Sequence, residues 1–261
     1  ITGNEYSNYL DGGDGDDQIY GGDGDDFFDW DSAARGGSDN FYGGAGDDQY
    51  VVNNTSDRVF ENANEGTDTA WVQASYFFVG EHIENVTLIS DGDFDVFSSE
   101  DYGTNNKFIG NSGDNLLMTY AGDDYLEGGS GNDSLYGGDG NDELRGGNGD
   151  DWLRGESGND KLYASYGDDW YLGGEGVDYL YAEGSESINL NLTSVYGSMS
   201  GLGDATVKDI EVFVFGSGSD QAVGSSSNDT FYGNNGNDIL QGKNGNDTLQ
   251  GGNGNDKSYG Q

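Results

Sequence analysis

The chain has 261 residues, of which 49 are Gly and none is Pro or Cys, and its 50 acidic against 9 basic residues give a formal net charge of −41. No cysteine means no disulfide framework or thiolate metal site. So negative a surface speaks against nucleic acid, whose phosphates need Lys and Arg, and against anionic membranes, while it suits divalent cations.

Low apolar content (32% hydrophobic) and high charge would by themselves describe a disordered acidic chain. A strict period argues otherwise. Most of the sequence repeats a nine-residue unit, G-G-x-G-x-D-x-U-x, where U is large and apolar. The clearest run begins at Gly128: GGSGNDSLY, GGDGNDELR, GGNGDDWLR.

In chain order, residues 1–20 lack the basic and apolar regions of a signal peptide, and a start at Ile1 without Met reads as a fragment or processed piece. Residues 3–11 form a worn entry repeat with Asn8 in place of Asp. Full units follow at 12–20, 21–29 and 43–51, with a degenerate one at 34–42 set off by an insertion, Trp30 to Ala33. This first block, 1–51, gives way to a spacer, 52–100, of different texture (VVNNTSDRVFENANEGTDTAWVQASYFF, later IENVTLI). A second block, 101–181, opens on a worn repeat with Asn106 and Phe108 and then holds register from 110 to 181. A second spacer, 182–214, shows strand-like alternation at Ile188, Leu190 and Leu192. The third block, 215–261, ends on a repeat with Ser258 at the apolar position, which predicts a frayed end. Both spacers carry a related tail, Ile83-Glu84-Asn85-Val86 and Ile210-Glu211-Val212, and read as irregular β segments that continue or cap the repeats. Almost nothing predicts helix, and no apolar run approaches the ~20 residues of a membrane span.

The nine residues divide into a turn and a short strand. Glycines at positions one, two and four permit backbone angles that a Cβ disfavours. The x-U-x triplet is extended, so U points one way and its neighbours the other. Two units make one coil with strands on opposite sides. Stacked coils give two parallel sheets ~4.8 Å per strand with the U side chains between them, so the fold class is all-β, a parallel β-roll or solenoid in three blocks joined by two β spacers. One apolar side chain per repeat is a thin core, and rows of Asp in adjacent turns repel one another. The stack therefore needs something that binds the turns. A hard cation with oxygen ligands fits, and calcium fits better than magnesium, which demands tighter octahedral geometry. Zinc prefers N and S ligands, and here there is one His and no Cys.

The repeats resemble those of the RTX family, whose members form calcium-bound parallel β-rolls. The resemblance covers the three blocks and implies that calcium lies between successive turns, held by the sixth-position Asp and by turn carbonyls. The implied carboxylate ligands are Asp17, Asp26, Asp39, Asp48, Asp124, Asp133, Asp142, Asp151, Asp160, Asp169, Asp178, Asp220, Asp229, Asp238, Asp247 and Asp256. The implied carbonyl ligands are those of Gly13, Gly15, Gly22, Gly24, Gly44, Gly46, Gly129, Gly131, Gly138, Gly140, Gly147, Gly149, Gly158, Gly174, Gly176, Gly236, Gly245, Gly252 and Gly254. Asn115 departs from Asp and puts its site in doubt. Pairing turns two repeats apart predicts roughly 13 calcium ions, bound cooperatively, with affinities of about 10⁻⁴–10⁻³ M as in extracellular modules. The resemblance also implies type I secretion and folding outside the calcium-poor cytosol. No C-terminal secretion signal is recognisable before Gln261.

Four further features bear on function. Asp91-Gly92-Asp93-Phe94-Asp95 alternates like an EF-hand loop, but Val96 and Tyr102 stand where Gly and Glu should, so a solvated acidic loop is the better reading. Trp152 and Trp170, and Tyr163 and Tyr181, recur at the same repeat position and should stack in pairs on neighbouring strands. Such ladders serve either sheet packing or surface contact, as in self-association or glycan binding. His82 has no second His or nucleophile motif beside it and reads as a surface residue. The glycine repeats lack the spacing, helix and Lys of a phosphate loop.

The sequence thus predicts a calcium-binding, non-enzymatic structural module of a secreted or cell-surface bacterial protein, in a surface layer, adhesin or extracellular matrix assembly. One alternative is an appendage that aids export and folding of a type I-secreted enzyme such as a protease, lipase or alginate epimerase. Another is a lectin-like binder using the aromatics.

Overall fold

The computed structural model describes residues 1–28, 37–98, 103–192 and 196–260. The insertion Trp30 to Ala33, and Tyr102, lie outside them. Among the described residues every regular element is a strand, 28 in all. Outside the second spacer, successive strands pass to opposite faces. One face is a continuous 13-stranded sheet from Tyr9–Leu10 to Thr248–Gln250. The other is a 3-stranded sheet (Gln18–Asp23, Asn40–Ala45, Arg58–Phe60) followed by a 12-stranded one that begins at Tyr76–Phe78. The chain is a parallel β-solenoid.

Register follows the repeat. Leu126 pairs with Leu144, and Leu135 with Leu153, so identical positions stack on identical positions. The triplets alternate as the pleat requires: Leu144 is fully buried between Glu143 and Arg145. The U side chains form one file between the sheets, from Ile19 through Leu117, Leu126 and Leu135 to Leu240, all with no exposed surface.

The spacers are built into the coil. In the long sheet Tyr50 pairs with Ala70, Ala70 with Val86, and Val86 with Phe108. Coil length varies there, yet the ladder persists. In the second spacer Leu180 pairs directly with Phe213. On the opposite face the same segment contributes Asn189–Asn191, Gly197–Ser200 and Asp204–Lys208. Gly197–Ser200 runs antiparallel to both neighbours, the irregularity within the second spacer's β segments. Gly201, at φ 133°, admits the reversal that residues with a Cβ resist. The last strand, Lys257–Gly260, pairs with Ile239–Lys243 through a register shift, and its side chains are exposed.

Candidate metal centres

The sixth-position carboxylates sit at the inner ends of the turns. Asp133, Asp142, Asp151 and Asp160 are each at most 2% exposed, as are Asp48, Asp178, Asp220 and Asp238. Each accepts a backbone hydrogen bond from its counterpart in the adjacent coil. Asp133 N–H donates to Asp151 Oδ1 at 2.8 Å, and Asp142 N–H to Asp160 Oδ1 at 2.9 Å. The same ladder links Asp17 to Asp39 and Asp220 to Asp238, and Asp229 to Asp247 and Asp238 to Asp256.

That fixes one oxygen of each carboxylate and leaves the other. Oδ2 is buried without a partner in Asp17, Asp26, Asp124, Asp133, Asp142, Asp151, Asp160, Asp178, Asp220 and Asp238. A buried anion with an orphan oxygen is costly unless a cation or proton meets it. Desolvation, opposed by the ladder hydrogen bond and assisted by neighbouring carboxylates, raises Asp142 to about 8 and Asp133, Asp151 and Asp178 to about 7. Asp124, Asp160 and Asp220 rise to about 6, chiefly through burial.

The cradle beside these oxygens is made by glycine. A Cβ on the first-position Gly137 would collide with Asp142 Oδ2, and one on Gly146 with Asp151 Oδ2. The fourth-position glycines named above hold φ between 104° and 145°, a region that L side chains rarely adopt. Their carbonyls project along the axis, so a Cβ on Gly149 would strike Gly131 O and one on Gly158 would strike Gly140 O. First-position carbonyls enter the same space as the orphan oxygens: a Gly21 Cβ would meet both Asp26 Oδ2 and Gly43 O. The donor set is all oxygen, anionic and carbonyl, which is the chemistry a hard divalent cation takes.

The cradles are not alike. Asp169 is closed by Tyr171, whose Oη donates to Oδ2 at 2.6 Å. Asp229 is closed by Ser225, whose N–H donates to Oδ2 at 2.7 Å. Asn115 Oδ1 accepts Asn111 N–H at 3.0 Å, and its Nδ2 donates to Asn111 Oδ1. Asp247 and Asp256 are partly exposed.

Four ladder members escaped the sequence reading because they lie in the spacers. Asp57 accepts Asp39 N–H, and Asp68 accepts Asp48 N–H. Glu84 accepts Asp68 N–H, and Glu211 accepts Asp178 N–H. The related tails of the two spacers thus place a Glu in the Asp register. A second ladder, at position five, runs the other way. Asn132 N–H donates to Asp114 Oδ1, Asp150 N–H to Asn132 Oδ1, and Asp168 N–H to Asp150 Oδ1. The Asp or Asn that fills this position in most repeats was its signal. In the acidic loop Asp91–Asp95, Asp95 pairs with Leu116, which puts buried Phe94 in the ligand register. Asp91 and Asp93 instead accept from Ser112 Oγ and Asp114 N–H.

The aromatic pairs lie on the outer faces. Trp152 and Trp170 stack with centroids 5.1 Å apart and planes within 6°, and Tyr163 and Tyr181 at 5.0 Å and 16°. The rings cover each other's faces along the roll axis and turn their edges outward.

A solenoid whose two edges are lined by buried, oxygen-only turn cradles is a cation-binding repeat protein. The family model described as the RTX calcium-binding nonapeptide repeat matches residues 1–29, 33–59, 109–144, 145–180, 216–249 and 232–261, more than half of the chain. The chain belongs to that family and is a calcium-binding repeat module. No curated protein is similar enough to the chain to count as a match.

Proposed function

We propose that the chain is a non-catalytic structural module of a secreted or cell-surface bacterial protein, whose biochemical activity is calcium binding coupled to folding. The observation that carries this is the set of ten buried Asp Oδ2 atoms without partners. They are stacked in two rows within a chain of charge −41. Such an interior is unfavourable without cations and favourable with them, so binding free energy becomes folding free energy. In a cytosol poor in calcium the chain stays unfolded, a state compatible with passage through a type I channel, and outside it folds. The structural role is supported by the continuity of the coil: the spacers add rungs to the same ladder, so the solenoid runs through the described chain. A surface layer, adhesin or extracellular matrix assembly is the setting that suits such a rod.

Equilibrium dialysis of the full chain against calcium tests the reading. On the order of ten ions should bind, with a Hill coefficient well above one and midpoints of about 10⁻⁴–10⁻³ M. Binding of one or two ions without cooperativity would count against it.

A further inference from the structure

The outer faces of the two sheets differ in kind. On the long sheet the outward positions from Lys107–Ile109 to Lys161–Tyr163 carry Lys107, Glu127, Glu143, Arg145 and Lys161, charges of both signs. On the 12-stranded sheet six rungs stack in the order Tyr76, Asp95, Leu116, Ser134, Trp152 and Trp170. The outward side chains of their x-U-x triplets are charged at Asp95 and Arg154, hydroxylic at Ser134, and otherwise aromatic or aliphatic. Tyr76 and Phe78 at one end, and Trp152 and Trp170 toward the other, are each more than a third exposed. The strip starts at the edge strand of its sheet, Tyr76–Phe78, and stops beside Lys208 and Asp209, an ion pair at 3.0 Å. The core file lies on the other side of these strands, and the long sheet stacks with charges at the same positions, so folding does not require the strip to be apolar.

Aromatic rings with Met and Arg, and few acids, are the composition of the core of a protein–protein contact. The charges of the strip say which protein. Asp95 stands one rung in from one end and Arg154 one rung in from the other. A two-fold axis between the Leu116 and Ser134 rungs exchanges the two, and sets the Tyr76 rung of one copy against the Trp170 rung of the other. Each Asp95 then meets an Arg154, twice in the pair. Among the described residues no ion pair reaches Asp95. Arg154 holds Glu156 through Nε at 3.2 Å, and a guanidinium has donors for a second carboxylate. In a chain of charge −41, contact through the acidic turn edges would instead set like charges together.

We propose that this strip is an isologous docking surface for a second copy of the chain, the two rolls lying antiparallel and face to face. Rungs at ~4.8 Å make it about 25 Å long and one triplet wide, smaller than the ~800 Å² per partner of a standard interface. The dimer is accordingly weak, micromolar rather than nanomolar, and the Asp95–Arg154 pairs set its register. It needs the folded chain with calcium bound. Pairing through this face links rods sideways and leaves both turn edges open to calcium.

Sedimentation equilibrium of the full chain in saturating calcium tests this. The mass should rise toward that of a dimer through the micromolar range. Met118→Glu, at the middle of the strip, should leave a monomer with unchanged calcium binding and circular dichroism. Asp95→Arg and Arg154→Asp should each weaken association by roughly tenfold or more, and the two together in one chain should restore it. A chain that stays monomeric at every concentration overturns the proposal. So does association that survives Met118→Glu, which would be calcium bridging between acidic turns, and so does a double exchange that fails to restore what the single ones lose. Should Met118→Glu fail to fold, the exchange at the exposed Asp95 and Arg154 decides. A chain that stays unfolded in calcium would overturn the calcium reading and this surface with it, whereas a folded monomer removes this surface alone.

Discussion

Tyr171 Oη donates to Asp169 Oδ2 at 2.6 Å and so fills with a hydroxyl the position that stands open beside Asp142 and Asp151. The repeat that does this departs from the pattern in three places. Ala164 and Ser165 replace the glycine pair, and Tyr replaces Leu at the apolar position. Ser165 N–H donates to Tyr171 Oη at 3.1 Å, and Ser165 Oγ lies 3.4 Å from Asp169 Oδ2. The three departures act together to satisfy one buried oxygen from within the protein. We predict that Asp169→Asn keeps the number of bound calcium ions, while Asp142→Asn loses at least one and needs more calcium to fold. Equal losses in dialysis would contradict this.

Acid should substitute for calcium. The folded-state values of Asp133, Asp142, Asp151 and Asp178 are raised by burial to about 7 or 8 from the usual carboxylate range near 4. A raised value means that protonation favours the fold. The ion-free fold therefore keeps its full stability below about pH 4 and loses it as pH rises through 6 to 8. In EDTA, circular dichroism should show sheet at pH 4–5 that disappears toward pH 8. Calcium binding requires the deprotonated carboxylates, so its midpoint should move to higher concentration as pH falls, with proton release on binding. A calcium midpoint independent of pH between 6 and 8 would contradict the assignment.

Gly140 stands at φ 144° and faces Gly122 O, whereas Gly13, at φ 93°, has nothing within 4 Å of the place its Cβ would take. Gly13→Ala carries only the backbone cost of about 1–2 kcal/mol. Gly140→Ala adds a collision with the next coil and with a carbonyl of the cradle. Its melting temperature in saturating calcium should fall at least twice as far. Equal shifts would mean that the axial carbonyl contact does not matter.

Trp152 and Trp170 cover each other's faces, and Trp170 also meets the edge of Tyr196 at 6.1 Å. Each ring contact contributes about 0.5–1.5 kcal/mol. Urea unfolding in calcium should therefore show Trp170→Ala losing more stability than Trp152→Ala. A sugar stacks on a ring face, and here the rings stack on each other along the roll axis and turn their edges outward, so Trp152→Ala should not alter the profile on a glycan array. A glycan signal that vanishes in that variant would establish a binding role for the ladder.

Much of this was legible in the sequence because each repeat carries its own structural instructions. Leu144 announces the core, Asp142 the inner turn, and Gly138 and Gly140 the backbone angles, all within nine residues. What was hidden depends on contacts between coils. Asp57, Asp68, Glu84 and Glu211 join the ladder through register across spacers whose coil lengths vary; the related tails mark Glu84 and Glu211 as alike, but none of the four stands in a glycine repeat that would announce its role. The reversal at Gly197–Ser200 depends on the long sheet pairing Leu180 with Phe213 and leaving the intervening chain to fold on one face. Tyr171 reads as a core aromatic, which it is, and its hydroxyl acquires a role only when Asp169 is placed beside it. The position-five ladder was visible as recurring Asp and Asn but had no evident partner until coils were stacked.

The central claim is that cations at the turn edges hold this solenoid together at neutral pH. Small-angle X-ray scattering of the full chain at pH 7.5, first in EDTA and then through a calcium titration, tests it most directly. The account predicts an expanded chain in EDTA that collapses over a narrow calcium range to a rod with the dimensions of the stacked coils. A rod that persists after exhaustive removal of calcium at that pH would contradict it.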